Sequence, residues 1–247
     1  MREDGQVSQP RPDVFVRPAR VDEALAVAAV QVAAWRSTYE ALLPADVLAA
    51  LDPASLAVQW EQAIRAAPTQ RHRLLVAVDS AQPPPGSTGE VTAPGSTEEV
   101  TAPGSTGEVT GFVSLAPATD PDLDPAIDGE LVELGVDPRH RGAGHGSRLL
   151  AAAADVLRSD GFERAYHWVP EPDELTRAFL TSGGWAVDGA RRTLDLRGDG
   201  DVLVTEIRLH TVVQDPSAVW DQGSAHDHDH DHDHDHDHDH DHDATEA

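Results

Sequence analysis

Apolar positions along the chain fall into two rhythms, and their alternation sets out a series of elements. Val14-Phe15-Val16 before Arg17-Pro18-Ala19 reads as a short first strand. Leu25, Val27, Ala28, Val32 and Trp35 then recur at helical spacing behind Asp22, a candidate N-cap, and predict a helix to about Ser37. A second helical region covers 45–67, interrupted near Pro53, and Leu74–Val78 is a continuous apolar run typical of a buried strand. Gly111–Leu115 is another strand. In the segment 130–137, Val132, Leu134 and Val136 fall at period two with Leu131 on the opposite side, which predicts a central strand covered on both faces and stopped by Pro138. Leu149, Leu150, Ala153 and Leu157 mark one side of a helix from Gly146 to Arg158. Ala165–Val169 is a strand, and Asp173–Ser182 a short helix closed by Gly183-Gly184. The segments 185–189 and 202–209 complete the strands. This order predicts an α/β (α+β) sandwich built on one mixed sheet.

Composition changes the picture at three places. Residues 1–12 are polar, with two prolines, and read as a loose N-terminus. The stretch PPGSTGEVT at 84–92 recurs nearly unchanged at 93–101 and 102–110, a nine-residue period too short for a solenoid unit. It reads as a low-complexity loop, 81–108, lengthened by duplication between two hairpin strands, because Pro, Gly, Ser and Thr bury too little to order it. After a linker at 211–225, residues 226–243 alternate His and Asp strictly, with no apolar residue, and read as a disordered tail. Extended, that tail places His226, His228, His230, His232, His234, His236, His238, His240 and His242 on one side and the carboxylates on the other, a donor set suited to Zn or Ni.

Charge and missing residue types exclude several classes. Of the formal charge of −26, residues 222–247 supply −10 (nine Asp, one Glu, no Arg), so the remainder carries −16 and is acidic in its own right. Nucleic acid is therefore not the expected partner, whereas a cationic amine would be attracted. With no cysteine there is neither a disulfide framework nor a thiolate nucleophile. No apolar run approaches a membrane span and no secretory signal is evident, so a cytoplasmic location without membrane association is expected. The acidic stretch 119–125 reads as a solvated turn, since the glycine and terminal Glu of a calcium loop are missing.

The chemistry concentrates between Leu131 and Leu150. Behind the strand, Arg141-Gly142-Ala143-Gly144-His145-Gly146-Ser147 removes side chains at alternate positions and opens a helix, a combination that suits a phosphate site because unpaired N–H groups and the helix dipole point at the ligand. A Walker loop is excluded, since the chain has no lysine, and the dinucleotide fingerprint fails on its spacing, with Ser147 where its last Gly should follow. His140 and His145 are read as solvated loop histidines beside phosphates.

The string V-x-P-x-x-R-G-x-G-x-G-x-x-L-L, with Arg141, Gly144 and Gly146 as its R-x-x-G-x-G, resembles the coenzyme A pyrophosphate loop of the GNAT superfamily of acetyl-CoA-dependent N-acetyltransferases. The helix ending in Trp35-Arg36-x-x-Tyr39 and followed by Leu42-Leu43-Pro44 is similar to the same family, which the element order matches over about 13–210. The resemblance implies a GNAT-type three-layer sandwich, one mixed, mostly antiparallel sheet with helices on both faces and a splayed strand pair at 130–137 and 164–169. It implies acetyl-CoA as co-substrate, held by Leu134, Gly135, Val136 and the residues Arg141 to Ser147, with backbone N–H groups near Leu134 to Val136 as oxyanion donors. It implies an acceptor wall at Trp35, Arg36 and Tyr39 and a carboxylate base on the fourth strand, Glu133 beside the splay with Glu130 second. One departure stands out: Leu180 occupies the position of the family's tyrosine general acid, which leaves Tyr39 or solvent to protonate the leaving thiolate. The implied activity is direct acetyl transfer to a primary amine of a small molecule or protein, by a monomer or homodimer. Two other readings stand beside it: a non-catalytic acyl-CoA-binding relative, kept open by Leu180, and a metal-binding or buffering protein acting through the His-Asp tail.

Overall fold

The computed structural model describes residues 14–80 and 107–214. Seven strands form one sheet in the order β1-β2-β3-β4-β5-β7-β6. They are β1 (Val14–Pro18), β2 (Arg73–Asp79), β3 (Glu108–Pro117), β4 (Asp128–Val136), β5 (Arg164–Pro170), β6 (Ala186–Asp195) and β7 (Leu203–Val212). Every neighbouring pair is antiparallel except β4 and β5, which run parallel. Helices cover both faces, as expected. The side chains of β2 divide cleanly: Leu75 and Ala77 join the cluster of Leu149, Ala153 and Leu157 from α4 (His145–Ser159), while Val76 and Val78 join Val27 and Val30 from α1 (Ala24–Tyr39). The predicted second helical region is two helices, α2 (Ala45–Ala49) and α3 (Pro53–Arg65); Asp52 caps α3 by accepting from the N–H groups of Ala54 and Ser55. Helix α5 (Glu174–Ser182) is capped by Asp173, which accepts from Thr176 N at 3.0 Å.

Several expectations are corrected. Asp22 is not the N-cap of α1: it lies inside a 3-10 turn, Val21–Glu23, and the Glu23 side chain turns back to the Arg20 N–H at 2.8 Å. Leu25 points outward, 58% exposed, and Ala24, Val30, Gln31 and Ala34 complete the buried side of α1 instead. The last repeat copy is not all loop. Its Glu108 and Val109 are buried residues of β3, because pairing with Asp79 and Val78 of β2 gives them the ladder that an isolated Gly-Ser-Thr segment lacks; Thr110, also buried, is the extra residue of a bulge against β2. The acidic turn is not merely solvated either: Asp120 and Asp122 accept from the Arg208 guanidinium, which is buried at 6% exposure and also binds Asp188.

The fourth strand departs from strict alternation. Its register against β3 shifts between Ser114↔Glu133 and Leu115↔Leu131, so Val132 is the extra residue of a β-bulge. Leu131, Leu134 and Val136 consequently all pack toward α4, and Leu131 is not on the opposite side from Leu134. Glu133 and Gly135 face α1 instead, with Glu133 on Gln31 and Gly135 against Phe112. Val132 is 53% exposed, so the strand is not covered along its whole length.

The N-terminal segment 1–12, most of the repeat loop, the residues 215–225 of the linker and the His-Asp tail with its nine proposed metal ligands, His226 to His242, lie outside the described residues. Among the described residues no His, Asp and Glu side chains group as a metal site, and no helix is long and apolar enough to cross a membrane.

Candidate active site

Strands β4 and β5 pair only at Asp128↔Arg164, Gly129↔Ala165 and Glu130↔Tyr166; beyond that they part. The expected splay is therefore present, and backbone groups of β4 after Glu130 lose their ladder partners on the β5 side. His167, buried, spans the start of the gap: its Nδ1 lies 2.6 Å from the carbonyl oxygen of Leu131. A carbonyl only accepts, so Nδ1 carries the proton, and burial lowers the affinity of the ring for a second one.

A cleft of about 440 Å³ opens at the splay. Its floor is Leu134, Gly135 and Val136 of β4 with His167 to Pro170 of β5, and its sides come from Trp35, Thr38 and Tyr39 of α1 and from Phe179 of α5. The glycine-rich loop forms one end. The first bond of the α4 ladder runs from Arg148 N to Gly144 O at 3.2 Å, so the N–H groups of His145, Gly146 and Ser147 precede the ladder at a helix start. Gly144 caps this helix with φ of +85°, a left-handed conformation that side chains resist. Of the loop residues read as coenzyme-binding, Arg141, Gly142, Gly144, His145, Gly146 and Ser147 line the cleft; Ala143 does not. Arg141 reaches back to α1, donating to Ser37 Oγ at 3.2 Å and Thr38 Oγ1 at 3.0 Å; hydroxyls carry no charge, so these bonds leave the guanidinium charge uncompensated.

His145 is a correction. It is not a solvated loop histidine but a buried one, 1% exposed, with Nδ1 2.6 Å from Thr110 Oγ1 and its ring 5.4 Å from that of His140. Burial, together with His140, lowers its proton affinity. His140 is also largely covered, and its Nδ1 is buried without a partner. The N-terminal end of α4 is thus pinned to β3 through Thr110, the residue contributed by the last repeat copy.

Glu133 stands at the other end of the cleft. Gln31 Nε2 donates to its Oε2 at 2.7 Å, and Gln31 Oε1 in turn accepts from Trp60 Nε1 at 2.7 Å. Oε1 of Glu133 is buried with no partner. Burial raises the carboxyl to about 7, against smaller opposing effects of hydrogen bonding from Gln31 and from the Trp35 ring, so this carboxyl changes charge near neutral pH. Glu130 is brought elsewhere. Its carboxyl is raised by burial and by Asp120, but it lies outside the cleft lining, against Thr119. Tyr39 lines the cleft, packed edge-on against Trp35 at 6.2 Å, and burial raises its phenol so that it stays protonated. Arg36 is turned away: its guanidinium donates to the Leu48 and Leu51 carbonyls at the end of α2. Leu180 is wholly buried in the core. Sequence reasoning did not single out Gln31, Trp60 or His167 as site residues. For Gln31 a signal existed: a polar residue one turn from both Val27 and Trp35, on the apolar stripe of α1.

The site therefore sits where a mixed seven-stranded sheet splays at its one parallel pair, beside a glycine-capped helix start. Residues 97–184 match the model of the acetyltransferase (GNAT) family. The chain is 28% identical over 158 residues, 64% of its length and 72% of the other's, to the uncharacterized N-acetyltransferase YuaI of Bacillus subtilis (strain 168). Similar solved structures include the PaiA N-acetyltransferase of Thermoplasma acidophilum in complex with coenzyme A (TM-score 0.54, 13% identity, 81% of this chain and 98% of that one). The YncA protein of Salmonella typhimurium with its cofactor acetyl-CoA is another (TM-score 0.51, 16% identity, 82% and 95%). Residues 97–184 are thus similar to the acetyltransferase (GNAT) family, and the fold is the one shared with these solved structures.

Proposed function

We propose that this protein transfers the acetyl group of acetyl-CoA directly to a primary amine, without an acyl-enzyme. The observation that carries the reading is one cleft with an unpaired helix start at one end and, at the other, a buried carboxyl that titrates near neutral pH. The donor set fits coenzyme A. N–H groups of His145, Gly146 and Ser147 and the cation of Arg141 suit a diphosphate, and the unladdered edge of β4 suits the amide-bearing pantetheine arm. Nothing lies within 4 Å of where a Cβ at Gly142 would sit, so the loop is open to a bulky anion. Coenzyme-bound relatives of the same fold support this assignment.

Acetyl-CoA supplies an activated thioester; the chain supplies the rest. Glu133, as the carboxylate, takes the proton of the incoming ammonium group. Backbone N–H groups of Leu134 to Val136 stabilise the negative charge that grows on the acyl oxygen. Tyr39 is the candidate donor to the leaving thiolate, since Leu180 is inside the core and Tyr39 lines the cleft with its proton retained. Trp35 and Tyr39 wall the cleft on the α1 side, beside Glu133. The test is purified protein with acetyl-CoA and a panel of amines, following free thiol. Amine-dependent thiol release, abolished by Glu133→Gln, is expected. Tight coenzyme binding with no release for any amine would favour the non-catalytic alternative.

A further inference from the structure

Helix α3 has an unusual face. Leu56, Trp60 and Ile64 lie at i, i+4 and i+8, one stripe directed at the sheet, yet α3 buries no residue. A second cavity of about 520 Å³ lies between them and the sheet, walled also by Leu74. Volume and lining are those of a small-molecule site. At its inner end stand Val132 and Glu133, which line the coenzyme cleft as well. The two cavities therefore meet at the carboxyl whose Oε1 is buried and without a partner.

Charge decides what fits. The lining of this second cavity holds one carboxylate, Glu133. Its other ionisable side chains are His72 and Arg73, and Arg73 is engaged by Asp160 at 2.9 and 3.2 Å. One ammonium can be met by one carboxylate. A second cation on the same molecule would lose its hydration among Trp60, Ile64 and Leu74 or lie beside Arg73.

We propose that this second cavity is the acceptor site, and that the acceptor is a primary amine bearing a single positive charge on an apolar body. The ammonium group occupies the free oxygen of Glu133, and the apolar body lies along the Leu56–Trp60–Ile64 stripe. Trp60 has a second task. Its ring N–H holds Gln31, which holds Glu133, so the surface that touches the body also orients the carboxylate. Polyamines and aminoglycosides are excluded by the same reasoning. The inference rests on the reading of Glu133 as the group that meets the amine.

The experiment compares 2-phenylethylamine with spermidine, in binding by calorimetry and in thiol release with acetyl-CoA, for the wild-type chain and for Ala63→Trp. Ala63 lines the cavity from an exposed position, so the larger ring narrows the site without entering the core. Phenylethylamine binding to the wild type, at least tenfold better use of it than of spermidine, and an at least tenfold rise in its KM or Kd in Ala63→Trp are expected. Equal or better use of spermidine, or a phenylethylamine affinity untouched by Ala63→Trp, overturns the proposal while leaving acetyl transfer standing. If no amine releases thiol, the acetyltransferase reading fails, and calorimetry alone decides this one: binding lost in Ala63→Trp sustains it, and no binding to the wild type ends it.

Discussion

Replacing Glu133 by Gln should change stability and activity in opposite directions. In the folded chain burial holds this carboxyl at about 7; in the unfolded chain it returns to its ordinary 4.5. Below 4.5 both states are protonated, and the residue costs the fold nothing. Above 7 both are ionised, and the native state carries the whole penalty of a buried anion. Stability contributed by this residue therefore falls as pH rises from 4.5 to 7, by about 3 kcal/mol at about 1.4 kcal/mol per tenfold. Gln keeps the shape and removes the charge. Its amide nitrogen at the orphaned oxygen position costs back about 1–2 kcal/mol, a term independent of pH. Urea unfolding of both proteins at pH 4.5 and pH 8 isolates the carboxyl. The buried histidines 145 and 167 have lowered proton affinity and lose stability as pH falls below 6.5, the opposite sense, but they are common to both proteins and cancel. The difference between variant and wild type should shift in favour of the variant by about 3 kcal/mol between the two pH values, while kcat falls by about 10²-fold or more, the loss of a general base. Wild-type kcat/KM should drop about tenfold per pH unit below 7. A difference that does not move with pH would refute the account of Glu133 as a buried, near-neutral base.

Arg208→Leu removes the cation shared by Asp120, Asp122 and Asp188 and leaves two of those carboxylates largely covered; a loss of about 3–5 kcal/mol in chemical denaturation is expected. Gly144→Ala forces a Cβ into φ of +85° and within 2.8 Å of Arg148 Nη1, so it should cost about 1–2 kcal/mol in thermal unfolding and weaken coenzyme A binding in calorimetry; an unchanged Kd would count against the loop as the diphosphate site. Truncation after Asp221 should leave acetyl-CoA affinity and thiol release intact in calorimetry and a thiol assay, because the cleft is lined by residues between 34 and 206.

The parts of this site that were legible are those whose cause is local. Arg141, Gly144 and Gly146 are fixed relative to one another by a turn and a helix start, so their spacing alone announced an anion cradle. The caps Asp52 and Asp173 belong to the same kind of short-range chemistry, though only the second lay at a predicted boundary. What escaped depends on partners distant in sequence. The surroundings of Glu133 are set by Gln31, 102 residues earlier, and through it by Trp60. His145 looked solvated because its partner, Thr110, lies 35 residues earlier, in the last copy of a repeat that composition alone reads as loop. Arg208 gathers an acidic turn 86 and 88 residues away, which composition alone reads as exposed charge.

The bulge at Val132 is the least legible feature and the one on which the chemistry turns. Strict alternation would put Glu133 on the same face as Leu131, against Leu149 and Leu157 of α4, where a carboxyl has neither partner nor access. One extra residue reverses the face for everything after it. Leu134 and Val136 enter the core in its place, and Glu133 turns to α1, where Gln31 can hold one oxygen and leave the other free. The same extra residue opens the strand where the two cavities meet, which is why Val132 is exposed in the middle of the sheet and lines both. A period-two pattern in the sequence cannot carry this information, because Leu131-Val132-Glu133-Leu134 is compatible with either register until β3 is paired beside it. The side chain that does the proposed chemistry is thus placed by a mismatch between strands, and the local rule fails at the residue the function uses.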